Sequence, residues 1–169
     1  IAENTLVLFT SDNGPWLVMQ NRGGSAGLFY EGKGTAWEGG VREPALAWWP
    51  GVIPAGSVSM SLASTLDFLP TAAALAGAEL PEDLELDGYN LMPLLKQEGE
   101  SGRNAMFIYL GQTLYAVRRG PWKMHFVTMS KRYQPDKRIV QKQDPPLLFN
   151  VEKDPGEKYN VAGDHPEII

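Results

Sequence analysis

The chain contains 169 residues with a net charge of −5, and 43% of them are hydrophobic, which is enough to build the core of a domain. It lacks a run of basic residues, which argues against a nucleic-acid partner, and it lacks a stretch of about 18 apolar residues that could span a membrane. It also contains no cysteine, which excludes disulfides, thiolate nucleophiles and cysteine-ligated zinc.

Two apolar runs in the first third of the chain predict strands. Residues 5–10 form a continuous β-branched and apolar segment, as expected of a strand buried on both faces of a parallel sheet. Residues 45–49 predict a second buried strand, with Trp48 and Trp49 in the core. Between these strands, residues 20–43 hold seven glycines and no clear periodicity. They predict a long, shaped loop, and such loops usually carry function.

Helical signals follow in the middle of the chain. Asp67 is expected to N-cap a helix over residues 68–76 that ends at Gly77. A short helical turn is expected over residues 91–96. The apolar face of the longer helix, which we expect to pack against the sheet, consists of Phe68, Leu69, Ala72, Ala73 and Ala76.

From Met106 onward the hydrophobic period changes to two residues, which predicts an antiparallel meander. Its turns fall at residues 111–112 and 119–120, and residues 147–150 add a short strand. In the strand that begins at Trp122, the apolar residues Trp122, Met124 and Phe126 alternate with a more polar face that includes His125.

The fold class is therefore α/β, with a main domain over residues 1–100 and a small antiparallel-sheet subdomain over residues 101–169. The chain opens almost directly into its first strand, and residues 164–169 resemble the start of a helix. Both ends are therefore expected to be interrupted elements of a longer protein.

Asp12 and Asn13 are the first candidates for chemistry. They follow the first predicted strand, at the carboxyl end where open α/β sheets place their ligands. A carboxylate beside an amide carbonyl supplies two hard oxygen donors, which suit calcium or magnesium. An Asp-Asn-Gly tripeptide is also ordinary turn chemistry, in which the side chains cap their own backbone. Both interpretations stay open on these residues alone.

Lys33 lies between Gly32 and Gly34, and flanking glycines let a backbone and an ammonium group approach a bound anion closely. Residues 27–34 come close to a Walker A phosphate loop, but that motif needs Ser or Thr directly after the lysine. Gly34 stands at that position, which excludes a P-loop. A solvated lysine in a flexible loop is the alternative interpretation.

Three other polar residues have simpler interpretations. Glu38 and Arg42 are expected to brace the loop, by pairing or by bonding to loop carbonyls. His125 could lie at the edge of a binding site, but a satisfied, half-exposed strand histidine is the more ordinary interpretation.

Taken together, these segments resemble the type I sulfatases, and within them the branch of arylsulfatase A and N-acetylgalactosamine-6-sulfatase. Residues 10–15 resemble the strand-end metal motif of that family, and residues 32–45 resemble its second signature. Each segment alone is weak, but their order and spacing make the resemblance specific. Further segments match in order at residues 67–71, 86–88, 116–126, 146–149 and 154–157.

The resemblance implies an alkaline-phosphatase-like sulfatase fold and the hydrolysis of an aryl or carbohydrate sulfate ester. Residues 1–100 would be the C-terminal part of the catalytic domain, with part of its main mixed sheet and its metal- and sulfate-binding loops. Asp12 and Asn13 would supply two ligands to one calcium ion that holds a sulfate oxygen. Lys33 would donate to another sulfate oxygen, and His125 would lie near the substrate. The family's nucleophile is a formylglycine hydrate made within a Cys/Ser-x-Pro-x-Arg motif, which this chain lacks. The chain is therefore expected to be the C-terminal part of the enzyme and to be inactive alone.

Two alternatives to a sulfatase stay open. A phosphatase or phosphodiesterase of the same superfamily usually needs a second metal and more histidine, and Asn13 in place of histidine favours one hard cation. A non-catalytic relative could instead bind calcium or a sulfated glycan through the same loop. The resemblance further implies a sulfated small molecule or glycan as the partner, and an extracytoplasmic location.

Overall fold

The computed structural model describes residues 1–81, 83–130 and 139–169. These residues form two compact units, one of residues 1–10 and 45–104 and the other of residues 11–44 and 105–169. The predicted division at residue 100 stays a prediction. In chain order the strands and helices are β1 (Val7–Thr10), α1 (Glu38–Val41), β2 (Ala45–Trp48), α2 (Phe68–Ala76), α3 (Met92–Leu95), β3 (Ala105–Leu110), β4 (Thr113–Arg119), β5 (Trp122–Ser130) and β6 (Ile139–Asn150).

The pairing of β1 with β2 corrects the sequence prediction for the first unit. The two strands run antiparallel, with Val7 opposite Trp48, whereas the apolar run of β1 predicts a parallel sheet. Within the described residues Phe9 is 68% exposed, Trp48 is 52% exposed and Trp49 is half-buried, so this chain alone does not provide the predicted burial. An apolar run identifies a strand, but it does not encode the direction of the partner strand or what covers its faces.

The predicted bounds of α2 are confirmed, and the helix ends at Gly77 in the left-handed conformation with a φ of 63°. Its start differs from the prediction. The backbone N–H of Leu66 donates to Ser64 Oγ at 3.2 Å, and the N–H of Ser64 donates to Asp67 Oδ2 at 2.7 Å. This capping box begins at Ser64, one short turn before α2, so the carboxylate of Asp67 accepts the N–H of Ser64, three residues earlier, rather than capping α2.

The predicted apolar face of α2 is only partly buried. Ala73 is buried, but Leu69 is 55% exposed. The buried side chain beside Ala73 is polar: the hydroxyl of Thr71 donates to the carbonyl of Asp67 at 2.6 Å and accepts the N–H of Leu91 at 2.9 Å. Hydrogen bonds as well as apolar contacts therefore fix α2 within its unit.

Asp67 is the centre of a buried polar cluster in the first unit. Its Oδ1 accepts the backbone N–H of Tyr89 at 2.9 Å and a hydrogen bond from the guanidinium of Arg103. Arg103 also donates to the carbonyl of Asp87 at 2.9 Å. Both members of the ion pair are buried, so each charge depends on the other for compensation.

The second unit contains the antiparallel meander that the sequence predicts. β3, β4, β5 and β6 are hydrogen-bonded in sequential order, and Gly111 and Gly120 turn the chain with φ values of 62° and 54°. β6 is longer than the predicted segment of residues 147–150, because its pairing with β5 extends from Asn150 back to Ile139. The period-two pattern identifies the strands correctly but underestimates the last one.

The face of β5 that is most deeply buried is the polar one. Lys123 and His125 are fully buried, whereas Trp122, Met124 and Phe126 are half-buried. The half-exposed position predicted for His125 is therefore wrong. The alternation of polar and apolar residues shows which residues of a strand share a face. It identifies the buried face correctly only when that face is apolar.

Replacing Asp67 by alanine should destabilise the full-length protein by about 3–5 kcal/mol, because Arg103 would be left as an uncompensated buried charge. Urea denaturation measures the change. Lys96→Ala is the matched control, since it removes the exposed ion pair with Glu98 and should change stability by no more than about 0.5 kcal/mol. Equal losses in the two variants would contradict the assigned role of Asp67.

Candidate functional site

Asp12 and Asn13 lie just beyond the end of β1 in the chain. Asp12 is exposed and Asn13 is half-buried. The hydroxyl of Ser11 donates to the carbonyl of Asn13 at 2.9 Å, which folds the backbone back over this short segment. Asp12 and Asn13 therefore lie in a local bend of the backbone. Their side-chain oxygens are of the kind that binds hard cations such as calcium.

Glu43 brings a second carboxylate to this bend, and the sequence did not identify it. Burial raises the pKa of Glu43, a hydrogen bond with Ser11 opposes the rise, and the negative charge of Asp12 adds to it. The two carboxylates thus repel each other, which a bound cation would relieve. Glu43 lies within the second signature segment, but nothing in its local sequence indicates that it faces Asp12.

Gly14 joins the bend to the turn at α1. Its N–H donates to the carbonyl of Gly40 at 3.1 Å. A Cβ at position 14 would lie 1.8 Å from the carbonyl oxygen of Gly39, so no other residue fits without moving one of the two backbone segments. The glycine of the Asp-Asn-Gly segment is therefore required by this close approach.

The loop that carries Lys33 is hydrogen-bonded to the same segment. The N–H of Lys33 donates to the carbonyl of Pro15 at 2.9 Å, while its side chain is exposed. A Cβ at Gly32 would lie 2.4 Å from that carbonyl oxygen, and Gly34 has a φ of 80°. The two glycines thus allow one close backbone contact and one left-handed residue. The structure therefore brings together the backbone segments of Asp12, Asn13 and Lys33.

Side chains also fasten the loop to β5. Glu31, which is buried and has a φ of 62°, accepts a hydrogen bond from the hydroxyl of Ser130 at 2.5 Å. The indole N–H of Trp37 donates to the carbonyl of Met129 at 3.2 Å. The loop is consequently held in place within the second unit by these hydrogen bonds and is not a flexible loop.

Glu38, at the start of α1, forms ion pairs inside the protein. Its carboxylate is buried, with Oε1 2.9 Å from Lys123 Nζ and Oε2 3.2 Å from a guanidinium nitrogen of Arg118. Arg42 approaches the same Oε2 at 3.4 Å, which confirms the predicted pairing of Glu38 with Arg42. The other two partners come from β4 and β5, so this carboxylate ties the loop to the sheet.

Glu157 completes this group from the C-terminal end of the chain. Its Oε2 accepts the backbone N–H of Glu38 at 2.6 Å, and its Oε1 lies 3.3 Å from Lys123 Nζ. Burial alone would raise the pKa of Glu157, but the hydrogen bond with His125 and the charge of Lys123 outweigh this effect and hold the pKa below its usual value. Glu157 is therefore an ionised carboxylate that links three segments.

His125 is packed between this carboxylate and an aromatic ring. Its Nε2 lies 2.7 Å from Glu157 Oε1, and its ring centroid is 4.3 Å from that of Trp37. Burial lowers the pKa of His125, the bond to Glu157 opposes this, and the charge of Lys123 adds to it. Nδ1 has no hydrogen-bond partner among the described residues, so a proton there would be buried without an acceptor. The lowered pKa and the contact with Glu157 together assign a neutral ring with its proton on Nε2.

Two family models match this chain. Residues 1–78 match the sulfatase model, and residues 101–169 match the model of the C-terminal region of aryl-sulfatase. The chain belongs to the sulfatase family. This confirms the resemblance carried by the motifs around Asp12, Lys33 and Glu38.

The sulfatase chain is 47% identical to arylsulfatase A of Homo sapiens, over 100% of its own length and 36% of that protein. It is 42% identical to N-acetylgalactosamine-6-sulfatase of Sus scrofa, over 96% of its length and 34% of that protein. Among solved structures it superimposes on the PsFucS1 sulfatase from Pseudoalteromonas sp. with a TM-score of 0.87 and 34% identity, covering 95% of this chain and 33% of that one. The predicted sulfatase fold is confirmed, and the chain spans about a third of the length of these relatives.

The comparisons leave the roles of Asp12, Asn13, Lys33 and His125 as predictions. Among residues 1–81, 83–130 and 139–169 there is no cluster of three or more His, Asp or Glu side chains arranged to hold a metal ion. Asp12 and Asn13 nevertheless fit part of a calcium shell by the chemistry of their donors. In the described part of this sulfatase chain, no helix has the length and apolarity required to cross a membrane.

The neutral, buried state of His125 predicts a specific loss of stability in acid. Because its pKa is lower in the folded than in the unfolded state, the unfolded state takes up the proton first. The melting temperature should therefore fall as the pH drops below about 6.5, the usual pKa of histidine. His125→Gln keeps a donor for Glu157 but cannot titrate, so its melting temperature should fall less between about pH 8 and pH 5.5. Glu157 does not contribute in this window, since its lowered pKa matters only in stronger acid. Identical pH dependence in the two proteins would contradict the assignment.

Proposed function

We propose that the protein containing this chain hydrolyses sulfate esters of aryl groups or carbohydrates. The observation that carries the proposal is a pair of backbone hydrogen bonds, from Gly14 to Gly40 and from Lys33 to Pro15. These bonds connect the bend that carries the side-chain oxygens of Asp12 and Asn13 with α1 and with the loop that carries Lys33. The relatives of this chain are named arylsulfatase and N-acetylgalactosamine-6-sulfatase. These names favour a sulfatase over the phosphatase, phosphodiesterase and non-catalytic alternatives.

Asp12 and Asn13 would hold one calcium ion in part. Calcium takes six to eight oxygen ligands, so other parts of the enzyme would supply the remaining donors. The carboxylate of Glu43 adds negative charge beside Asp12 and so favours a cation at this bend. When bound, the ion would orient the sulfate group and neutralise charge on one of its oxygens.

Lys33 would donate from its ammonium group to another sulfate oxygen. As the S–O bond to the leaving group breaks, negative charge increases, and a cation already in position stabilises that charge without reorganising. The bond from the Lys33 N–H to Pro15 and the tight contact at Gly32 fix the backbone from which this side chain extends. The same groups would therefore stabilise the transition state more than they stabilise the bound ester.

The nucleophile that the family implies is a formylglycine hydrate, and its Cys/Ser-x-Pro-x-Arg motif would lie upstream of Ile1. A contact between His125 and the substrate stays a prediction, and the contacts that the structure gives this ring are with Glu157, Trp37 and Phe149. Family membership also supports an extracytoplasmic location for the whole protein.

Replacing Lys33 by alanine in the full-length enzyme should lower kcat by about 10²-fold, the scale of losing one preorganised donor. The melting temperature should barely change, because the side chain is exposed. Lys33→Arg should restore part of the activity, since a planar guanidinium does not reproduce a compact ammonium charge. Steady-state kinetics on a chromogenic aryl sulfate measure these values, and a wild-type kcat in Lys33→Ala would exclude the assigned role.

Replacing Asp12 by alanine should abolish turnover and remove the increase in melting temperature that calcium gives the full-length protein. The reason is that a ligand that binds the folded state alone stabilises it by an amount that grows with the logarithm of the ligand concentration divided by its Kd. Melting curves with added calcium and with a chelator separate the two effects. If Asp12→Ala shifts the melting temperature equally in both buffers, the side chain acts as a turn cap and not as a calcium ligand.

A further inference from the structure

Glu157 occupies a backbone conformation that non-glycine residues rarely adopt. It ends the turn of residues 154–157 with a φ of 49° and is buried. Its N–H donates to the carbonyl of Asp154 at 3.1 Å, and the carboxylate of Asp154 accepts the next two backbone N–H groups, at 2.7 and 2.8 Å. Such a conformation persists only where its surroundings fix it, and it is found preferentially at functional sites.

The turn directs the carboxylate of Glu157 at three donors. Oε2 accepts the N–H of Glu38, which is the first residue of α1. Oε1 faces both His125 Nε2 and Lys123 Nζ. The two oxygens thus have different partners. Oε2 binds the backbone of α1, and Oε1 binds the side chains of β5.

α1 carries this connection to the candidate site. After Glu38 come Gly39 and Gly40, which pack so closely on the loop that a Cβ at either position would lie about 2.3–2.4 Å from a loop carbonyl oxygen. Gly40 then accepts the N–H of Gly14, which follows Asn13. Glu157 is consequently linked to the bend of Asp12 and Asn13 through one hydrogen bond, one short helical turn and a second hydrogen bond.

The same glycines connect Glu157 to the lysine loop. A Cβ at Gly40 would lie 2.6 Å from the carbonyl oxygen of Gly32, the residue before Lys33. A displacement of α1 would therefore move both halves of the site, since the contacts are too tight to absorb it.

We propose that Glu157 is a positioning residue of the sulfate site, which sets the place of Asp12, Asn13 and Lys33 through Glu38 and the glycines of α1. The proposal rests on the function proposed above for those three residues. Glu157 acts through Glu38 and α1 rather than through a contact of its own with these three residues, and its contribution is the accuracy with which charged groups are aimed at the reacting ester. Errors of about 1 Å in such alignment cost up to about 10²-fold in rate.

Glu157→Gln in the full-length enzyme tests this idea with minimal change in volume. Glutamine has one acceptor oxygen, so it can serve either the N–H of Glu38 or the donors on β5, while its NH₂ group opposes the other set. We expect kcat on an aryl sulfate to fall about 10- to 100-fold with a much smaller change in KM. The gain in melting temperature on adding calcium alone should shrink as well.

Thr71→Val is the matched control. It removes a buried hydroxyl that bridges Asp67 and Leu91 in the other compact unit, so it destabilises the protein without touching the site. At a similar loss of melting temperature, its kcat should stay within about twofold of the wild type. If Glu157→Gln behaves like Thr71→Val, the residue is merely structural and the proposal is wrong.

A double-mutant cycle with Lys33→Ala gives a second, independent test. If Glu157 acts by aiming the lysine, its loss should matter much less once the ammonium is gone, so the two effects on kcat should not multiply. Fully multiplicative effects would overturn the link to Lys33. Should Glu157→Gln fail to fold, Glu157→Asp keeps the charge but is one methylene shorter, and it should show the same split between kcat and KM.

The outcomes also separate this proposal from the one on which it rests. A wild-type enzyme without sulfatase turnover removes the proposed function itself, and an unaffected Lys33→Ala removes the role assigned to Lys33. Normal turnover and a strong Lys33 effect together with an unaffected Glu157→Gln remove the positioning role alone.

Discussion

The carboxylate of Glu38 is a buried charge, and the second unit depends on its compensation. Transferring an ionised group from water into a protein interior costs several kcal/mol, which is recovered only with good partners. Lys123 and Arg118 provide that compensation from two strands, and Arg42 does so from the far end of α1. A second buried carboxylate, Glu157, shares Lys123 and receives the N–H of Glu38. Because these charges must be brought together before any of them can be buried, loop, sheet and C-terminal turn adopt their positions jointly.

Close backbone contacts at glycines connect these ion pairs to the candidate site. Glu38 is held by ion pairs with side chains. Gly39 and Gly40 are instead held by backbone contacts so close that an added Cβ atom would clash. Backbone contacts of this kind are stiff, since there is no rotamer that can change to relieve a displacement. The bend at Gly14 and the loop at Gly32 therefore form one body with α1. The side chain of Lys33 itself is exposed and free to meet a ligand.

The features that could be predicted from sequence are those with a local physical cause. Helix α2 ends at a glycine that adopts the left-handed conformation, and the meander follows an alternation of two. The direction in which β1 pairs and the exposure of Phe9 have no local signal. Lys123 looks like a solvent-facing residue until its partners are known, because they lie far away in the sequence. The metal and lysine motifs were identified through a family pattern. Residues 154–157 belong to that pattern too, but the role of Glu157 depends on Glu38, which is 119 positions away, and no sequence window indicates that contact.

The separation between Glu38 and Glu157 also has a consequence for how the protein is made. A ribosome releases the segments of Asp12 and Lys33 before Glu157, which follows Glu38 by 119 residues. At usual rates of translation this is a delay of roughly 10 s, during which the loop has its glycines but not the carboxylate that fixes α1. Lys123 emerges within the same interval, 85 residues after Glu38. The residues that would hold the sulfate are thus synthesised before the carboxylate that fixes the place they occupy.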